Sequence, residues 1–361
     1  MKNSITLFVK ALGIAAVSAA VSLMALSSCN NTIYDYEGDC VPTYTLKLKY
    51  DKNLKWADAF ANEVKSVRLF AFDTNGTLVK EWFENSQVLQ NNDYAIDLDI
   101  PAGKYRLVAW CGTENPEAEA KHFAIPQTTI GQTTPEQLTC KINRTANTEY
   151  PALSDKRLEF LFHGDLDVEL PADDDGGDYV YTMPLTKNTN HLRVVLQHLS
   201  GKDLDVSKFS FRLEDANGLY HHSNKLLDDQ TIIYKAYKTS SGVASIIREE
   251  QKNTRSYVDA KTAIADISTG RMMADRKRNM MLTITNDEGK DIARVPVIDY
   301  ALMAKDYYED ACGHRMTDQE YLDRNDEYVM TFFIDDNMEW YSAEIYILSW
   351  RIVLHDYSIK S

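Results

Sequence analysis

Residues with the chemistry of a catalytic or metal site are few in this sequence. It contains no GxSxG nucleophile turn, no HExxH zinc pair, no Walker phosphate loop and no GxGxxG dinucleotide loop. The pair His221-His222 follows a turn at Asn217-Gly218, which favours an exposed hairpin over a metal site. Asp173-Asp174-Asp175 could attract Ca²⁺, but the later bidentate Glu of an EF-hand is missing. We therefore expect no enzyme, no metal and no cofactor.

Cys29 is the residue whose surroundings predict a specific reaction. It follows Leu26-Ser27-Ser28, and small residues before the cysteine fit a narrow peptidase cleft. The pattern resembles the lipobox of bacterial lipoproteins, in which the cysteine thiol is the nucleophile that accepts diacylglycerol. We expect lipid attachment at Cys29, with palmitate-type acyl chains holding the protein on a membrane.

The residues before Cys29 have the pattern of an export signal. Lys2 and Lys10 flank the start of an apolar run, residues 11–26 (ALGIAAVSAAVSLMAL). This run is shorter than the roughly 20 apolar residues that a spanning helix needs. We expect residues 1–28 to be a lipoprotein signal peptide and residues 29–42 to be a lipidated tether. The acidic residues of the tether resemble those in surface-exposed lipoproteins of the Bacteroidetes, although a solvated linker explains them equally well.

The remaining four cysteines suit an oxidising compartment. Cys40, Cys111, Cys140 and Cys312 show no C-x-x-C spacing and no clustered histidines, so zinc binding is not indicated. Four cysteines allow three pairings. We favour a disulfide between Cys40 and Cys111, because each borders a predicted strand and the two could lie side by side in one sheet.

Charge and hydropathy exclude two classes of protein. The chain carries 39 basic and 54 acidic residues, a formal net charge of -15, whereas a nucleic-acid binder needs a basic surface. The mean hydropathy is -0.39, and the one long apolar stretch lies at the N-terminus. A polytopic membrane protein is therefore excluded as well.

Period-two alternation and turn signals predict an all-β chain. From Tyr44 to Tyr50, tyrosine and leucine alternate with threonine and lysine, as in a strand with one wet face. Asn75-Gly76 predicts a hairpin turn between strands at 67–72 and 77–82. Residues 54–63 have apolar residues at helical spacing and predict a short helix. Further strands are predicted at 95–100, 104–110, 179–183, 192–199, 209–214, 231–237, 280–285, 292–297, 328–334 and 343–357.

An acidic run at 171–178 (PADDDGGD) divides the predicted strands into two groups. Short strands with recurring turns are typical of antiparallel sandwiches. We therefore expect an N-terminal β-sandwich domain at 43–170 and a C-terminal β-sandwich domain at 179–361, in tandem, with short helices in loops.

Five segments carry a family resemblance by their order and spacing. They are the lipobox with its short tether, residues 50–60 leading to the strand at 67–73, Trp110-Cys111-Gly112, residues 319–333 (QEYLDRNDEYVMTFF) and the terminal 347–353. Together they resemble the FimB-like fimbrial anchor lipoproteins of Bacteroidales type V pili. Cys140 and Cys312 depart from the family pattern, which leaves the disulfide pattern open.

The resemblance implies two transthyretin-like β-sandwich domains and a structural role. Such a protein holds the base of a fimbrium in the outer membrane, exposed on the cell surface, and limits its length. Stalk subunits of these pili lose their lipidated first segment when a protease cuts after an arginine, and the vacated groove accepts a strand from a neighbour. The implied partners are fimbrial stalk subunits and, through the acyl chains, the outer membrane.

The distribution of arginine bears on this mechanism, because none occurs before Arg68. We expect the chain to keep its lipid and its first strand, as an anchor must, and to join the fimbrium by strand addition at its C-terminal segment. The candidate residues in that segment are Ala343, Ile345, Ile347, Trp350, Ile352 and Leu354. A chance absence of arginine and an ordinary last strand are the alternative explanation.

Two other functions stay open on sequence grounds. The chain could be a tip or accessory adhesin of the same class of fimbriae, or a surface glycan-binding lipoprotein. Aromatic stacking on sugars would use some of the tryptophans Trp56, Trp82, Trp110, Trp340 and Trp350, although core packing is the usual role of tryptophan in a sandwich.

Overall fold

The computed structural model describes residues 42–115, 121–172, 177–250, 254–277, 279–347 and 350–354. By its internal contacts the chain divides into two units. One comprises residues 1–43 and 173–177, and within it the Thr43 N–H donates to the Gly177 carbonyl oxygen at 2.8 Å. The other comprises residues 44–172 and 178–361 and forms the body of the protein.

Strands dominate the described residues. In chain order they are β1 (Thr43–Lys49), β2 (Val67–Phe72), β3 (Leu78–Glu84), β4 (Ile96–Asp97), β5 (Gly103–Cys111), β6 (Phe123–Ala124), β7 (Cys140–Ile142), β8 (Leu153–Ser154), β9 (Phe162–Leu170), β10 (Asp178–Pro184), β11 (Thr186–Lys187), β12 (Thr189–His198), β13 (Phe209–Asp215), β14 (Leu219–Tyr220), β15 (Ile232–Lys235), β16 (Lys238–Glu250), β17 (Thr254–Gly270), β18 (Met281–Asn286), β19 (Asp291–Pro296), β20 (Glu327–Ile334), β21 (Trp340–Ile347) and β22 (Trp350–Leu354).

The α-helices are short and lie in the connections between strands. They are α1 (Phe60–Glu63), α2 (Val297–Leu302), α3 (Lys305–Cys312) and α4 (Asp318–Arg324). α4 begins after Thr317, whose side chain accepts a hydrogen bond from the Glu320 N–H at 3.1 Å and so caps the helix.

Two sheets pack face to face around the first core. One has the strand order β10-β1-β4 and the other β11-β9-β5-β2-β3. Alternate residues of β1, namely Tyr44, Leu46 and Leu48, are buried between them. Strand β2 is buried on both sides, since Leu69 faces this core and Phe70 faces the second one. The five-stranded sheet that contains β2, here called the central sheet, is therefore covered on both faces.

Two larger sheets enclose the second core. Their orders are β16-β17-β12-β20-β21-β22 and β19-β18-β13-β15-β8. Leu192 and Val194 of β12 and Met330 of β20 pack there against Leu213 and Leu282 of the facing sheet. The pairing of β12 with β20 is parallel, and the remaining neighbours in the six-stranded sheet are antiparallel.

Strands from the first half of the chain complete sheets of the second half. β8 pairs in parallel with β15, with Leu153 opposite Ile233. β7 pairs with β14, with Cys140 opposite Tyr220, in a small sheet of order β14-β7-β6. Trp110 on the outer face of β5 belongs to the second core. The two halves are thus interlocked through exchanged strands and a shared core.

The predicted all-β sandwich fold with few, short helices is confirmed. Two local expectations are corrected. β10 follows the acidic run at 171–178 but lies in the first sandwich beside β1, because Met183 and Leu185 fill the first core. The helix predicted over 54–63 forms only at Phe60–Glu63, since Trp56 adopts a φ of 54° that no helix accommodates. The division into domains at 43–170 and 179–361 stays a prediction.

Candidate assembly site

The C-terminal hairpin brings together the six residues that the sequence marks for strand addition. β20 leads into β21, and β21 pairs antiparallel with β22. β-branched and aromatic residues recur in both strands, which favours extended pairing. The candidates stand directly opposite one another as Ala343 with Leu354, Ile345 with Ile352, and Ile347 with Trp350.

β22 is the last strand of its sheet. One of its edges pairs with β21. Within the described ranges, no strand pairs with its other edge. An unpaired edge presents a row of backbone N–H and C=O groups that can template a further strand. The backbone geometry that strand addition requires is therefore present at β22.

A buried strand holds this hairpin in place. Met330, Phe332 and Ile334 of β20 are fully buried in the second core. β20 also pairs with β12 from one end to the other, from His191 opposite Glu327 to His198 opposite Ile334. A pull on β22 would therefore be carried by ladders of backbone hydrogen bonds to the middle of the six-stranded sheet.

A tight turn at 335–339 sets the direction in which β21 leaves β20. The Asp335 carboxylate accepts hydrogen bonds from the N–H groups of Asn337 and Glu339, both at 2.9 Å. These hydrogen bonds lower the pKa of Asp335, and the one from the Glu339 N–H has the largest effect. Met338 has a φ of 61°. An aspartate at the start of such a turn replaces missing backbone hydrogen bonds, so the turn is defined by its own sequence.

The opposite edge of the same sheet is formed by strands that the sequence pattern does not predict. β16 and β17 have 13 and 17 residues and pair from Lys238 opposite Asp266 to Glu250 opposite Thr254. β17 pairs with β12 only from Ala263 onward. The alternation of Ala263, Ala265 and Ile267, which are buried, is the one sequence feature that could have predicted β17. It is a weak feature, because alanine is a weak strand former. β16 is thus a second open edge.

The first strand is built into the middle of a sheet. β1 lies between β10 and β4, with Leu46 opposite Ile96. Its buried residues Tyr44, Leu46 and Leu48 each contribute about 1.5–3 kcal/mol of apolar burial. Loss of this strand would expose the first core along its whole length, so the strand is held firmly by its own fold.

Arg68, the first arginine of the chain, lies inside a paired strand. β2 pairs with β3 on one side and β5 on the other. The Arg68 guanidinium donates to Glu81 Oε1 at 3.0 Å and to Glu114 Oε1 at 2.6 Å. A protease needs an exposed, locally unfolded segment. Cleavage after Arg68 would therefore require prior unfolding of the central sheet.

Cys111, Cys140 and Cys312 form no disulfide with one another. Burial raises the pKa of the Cys111 and Cys140 thiols. The lipid-attachment candidate Cys29 and the disulfide candidate Cys40 lie outside the described residues. The acylation of Cys29 and the Cys40–Cys111 disulfide therefore stay predictions.

The histidine pair lies in a different environment from the one that the sequence suggests. His222 is buried rather than exposed, and its carbonyl oxygen accepts a hydrogen bond from His163 Nε2 at 2.7 Å. The aspartates at 173–175 lie outside the described residues. In the rest of the chain that the structure describes, no three potential metal ligands come together.

The tryptophans with described side chains are engaged in packing within the protein. Trp110 is fully buried. Trp56 lies under the Arg324 guanidinium, 3.7 Å from the ring centroid, and donates to the Tyr308 hydroxyl at 3.0 Å. Trp82 donates to Asp99 at 2.9 Å. These three rings therefore do not form a shared platform for a sugar.

No helix among the described residues has the length and apolar character to cross a membrane. The chain matches a family model for fimbrillin-A associated anchor proteins Mfa1 and Mfa2 over residues 36–356. The model covers most of the sequence. A comparison with curated proteins gives no match.

Several solved structures share the fold. A protein from Bacteroides thetaiotaomicron described as a candidate adhesin is 28% identical, with a TM-score of 0.74, and the match covers 89% of this chain and 100% of that one. A candidate polysaccharide-binding protein from the same organism is also 28% identical, with a TM-score of 0.70 and coverage of 87% and 99%. The fimbrial anchor protein Mfa2 from Porphyromonas gingivalis has the same fold at 16% identity, with a TM-score of 0.58 and coverage of 88% and 100%.

Proposed function

Because this chain belongs to the family of fimbrillin-A associated anchor proteins Mfa1 and Mfa2, we propose that it anchors the base of a fimbrium. Its family makes it a fimbria-associated protein of the cell surface. In the proposal, acyl chains on Cys29 hold it in the outer membrane, and fimbrial stalk subunits join it at the other end of the chain. The narrower likeness to FimB-type anchors is part of this proposal.

The observation that carries the proposal is the contrast between the two ends of the described chain. The first strand, β1, is paired on both sides in the middle of a sheet, and no arginine precedes Arg68. The last described strand, β22, ends its sheet. A protein with this arrangement keeps its membrane-attached end and offers its other end for assembly.

Strand addition is the mode of joining that this edge supports. A stalk subunit would lay an extended segment along β22, satisfying a row of backbone groups in one step. Side chains at alternate positions would then set the register. Force on the fimbrium would pass through β22, β21 and β20 into the second core.

We propose that the same arrangement also limits the length of the fimbrium. A stalk subunit that propagates a fibre must donate a strand to one neighbour and accept a strand from another neighbour in its own vacated groove. In this chain the place of the first strand is already occupied by β1. With β22 as the joining edge, polymerisation would end when a subunit meets the anchor.

The experiment is a comparison of the two open edges of the six-stranded sheet in fimbriated cells. Truncation before Ala343 removes most of β21 and all of β22. Ile352→Pro disturbs only β22 and its pairing with β21, since proline cannot complete a strand ladder. Val243→Pro in β16 is the matched control, at a residue that is 72% exposed. We expect both C-terminal variants to release fimbriae into the medium and Val243→Pro to retain them.

The reverse pattern would overturn the proposed joint. Attached fimbriae after truncation, or release caused only by Val243→Pro, would move the joint away from β22. Immunodetection of each variant on the cell surface shows that the protein is still exported and folded.

A role as a fimbrial adhesin is the second candidate function. It is favoured by the 28% identical structure described as a candidate adhesin. Deletion of the protein followed by electron microscopy distinguishes the two roles. Long, shed fimbriae would indicate an anchor, whereas attached fimbriae without adhesion would indicate a tip subunit.

A further inference from the structure

Lys187 is the one lysine among the buried residues of the described chain. It lies in β11 directly opposite Phe162 of β9, and its side chain is 2% exposed. Its Nζ lies 3.4 Å from the centroid of the Phe160 ring and 5.8 Å from that of Phe162. The amine is thus held inside an aromatic pocket, where few conformations are open to it.

Two carboxylates meet this amine from distant parts of the chain. Glu63, the last residue of α1, places Oε2 2.8 Å from Nζ, and Asp326, just before β20, contacts Nζ through Oδ2. The Asp326 carbonyl oxygen accepts the His191 N–H at 2.8 Å, which fixes the backbone of Asp326 beside β12. Two carboxylates are therefore both held against the Lys187 amine.

The surroundings of this triad are apolar on one side and open on the other. The buried ring of Tyr50 packs edge-on against Phe162, with centroids 4.9 Å apart. Burial first, then the charges of Asp326 and Glu63, raise the pKa of Tyr50, so its hydroxyl stays neutral. Glu63 and Phe160 also line a cleft of about 250 Å³, which gives a small molecule such as water a way out.

An ion pair is a weak reason to bury a lysine, because desolvation of the charges opposes their attraction. The same placement is what an amide-forming condensation needs, since a fixed amine and carboxyl group gain a high effective concentration. We propose that Lys187 and Asp326 form an intramolecular isopeptide bond, with Glu63 as the proton shuttle.

The reaction balances without any further reactant. Glu63 accepts one proton from Nζ of Lys187 and passes it to a carboxylate oxygen of Asp326, and the free amine attacks Cγ of Asp326. One C–N bond forms. The attacking nitrogen then loses a second proton, which Glu63 carries to the same oxygen, so that the C–O bond breaks and this oxygen leaves as one water molecule. An ammonium and a carboxylate thus become a neutral amide, and nothing is oxidised or reduced.

The bond would change the way in which the chain carries load. Force that enters near β1 and leaves at β22 would pass from β11 through the Lys187–Asp326 amide directly to β20. Residues 188–325, with strands β12 to β19, would then lie outside the covalent load path. This mechanical benefit rests on the proposed anchoring function, but the existence of the bond does not.

Peptide mass spectrometry of the full chain tests the bond directly. Trypsin cuts after Arg157, Arg193, Arg324 and Arg351. The bond would join peptides 158–193 and 325–351 into one species, uncut after Lys187 and lighter than their sum by one water molecule. We expect this species from the wild-type protein and none from Lys187→Arg, which keeps the positive charge. Glu63→Gln should slow its formation about 10²–10⁴-fold.

Lys305 and Asp318 are the internal control in the same digest. Their Nζ and Oδ1 atoms are 2.9 Å apart, but both side chains are partly exposed, so they should give no linked peptides. Cleavage after Lys187 in the folded wild-type protein, with an unmodified peptide 325–351, would overturn the proposal. This result would leave the anchoring function standing, because fimbrial attachment is measured separately.

Discussion

His163 is a buried base whose protonation the fold opposes. Its ring packs against Trp110 with centroids 4.6 Å apart, and its Nε2–H donates to the His222 carbonyl oxygen. Burial lowers the pKa of His163 from 6.5 to about 4. The unfolded chain therefore binds this proton more readily than the folded one. Stability is unaffected above the unfolded pKa and falls as the pH falls from there towards the folded pKa.

We predict that His163 alone lowers the free energy of unfolding by about 2–3 kcal/mol between about pH 7 and about pH 4.5. His191, whose pKa burial also lowers to about 4, acts in the same direction. Chemical denaturation at both pH values measures the loss, and His163→Gln should show a smaller one. An equal loss in the wild-type and His163→Gln proteins would assign the acid sensitivity to other groups.

The roles of the residues in the Trp110-Cys111-Gly112 segment could not be predicted from the sequence. The sequence identifies the segment as part of a family resemblance, but the roles of its residues depend on contacts with distant parts of the chain. Gly112 has a φ of 87°, and a Cβ on it would lie 1.8 Å from the Phe160 carbonyl oxygen. Lys187 is likewise unremarkable in sequence, because its partners Glu63 and Asp326 lie far away along the chain.

Among the elements, those with period-two alternation or a neighbouring turn signal are the ones that the sequence predicts. β1, the β2–β3 hairpin and β20 all appear where apolar and polar residues alternate or a turn signal intervenes. β8 and β11 have only two residues each, and their existence depends on neighbouring strands. β16 and β17 lack a strong apolar pattern. The sequence predicts a single strand at 343–357, whereas the structure has the hairpin of β21 and β22 in this segment.

The importance of β1 can be measured with a pair of neighbouring substitutions. Leu46 is fully buried in the first core, whereas Lys47 is exposed. Leu46→Ala should lower the free energy of unfolding by about 2–5 kcal/mol, because it leaves a cavity. Lys47→Ala should change it by less than about 0.5 kcal/mol. Urea denaturation gives both values, and equal effects would mean that β1 is not held as described.

At the scale of the whole molecule, the two sandwiches share strands and a core. The acidic run at 171–178 predicts a border, but sequence cannot show that β8 joins β15 or that β7 joins β14. These pairings are long-range, and local propensity carries no information about them. Two sandwiches joined by exchanged strands and a shared core are expected to depend on each other for stability.

We predict that the two halves unfold in one cooperative transition. Trp110 and Phe70 of the first half are part of the second core, so loss of either half exposes apolar surface of the other. Calorimetry should give a single peak whose calorimetric and van't Hoff enthalpies agree. Two well-separated transitions would show that the predicted domains at 43–170 and 179–361 are independent.

The central claim is that one continuous chain links an acylated cysteine to the edge at β22. Mass spectrometry of the native protein, isolated from the outer membrane of fimbriated cells, tests it most directly. We expect an N-terminal peptide that begins at Cys29, carries acyl chains and continues uncut through β1. A mature N-terminus downstream of β1, or a Cys29 without lipid, would contradict the claim.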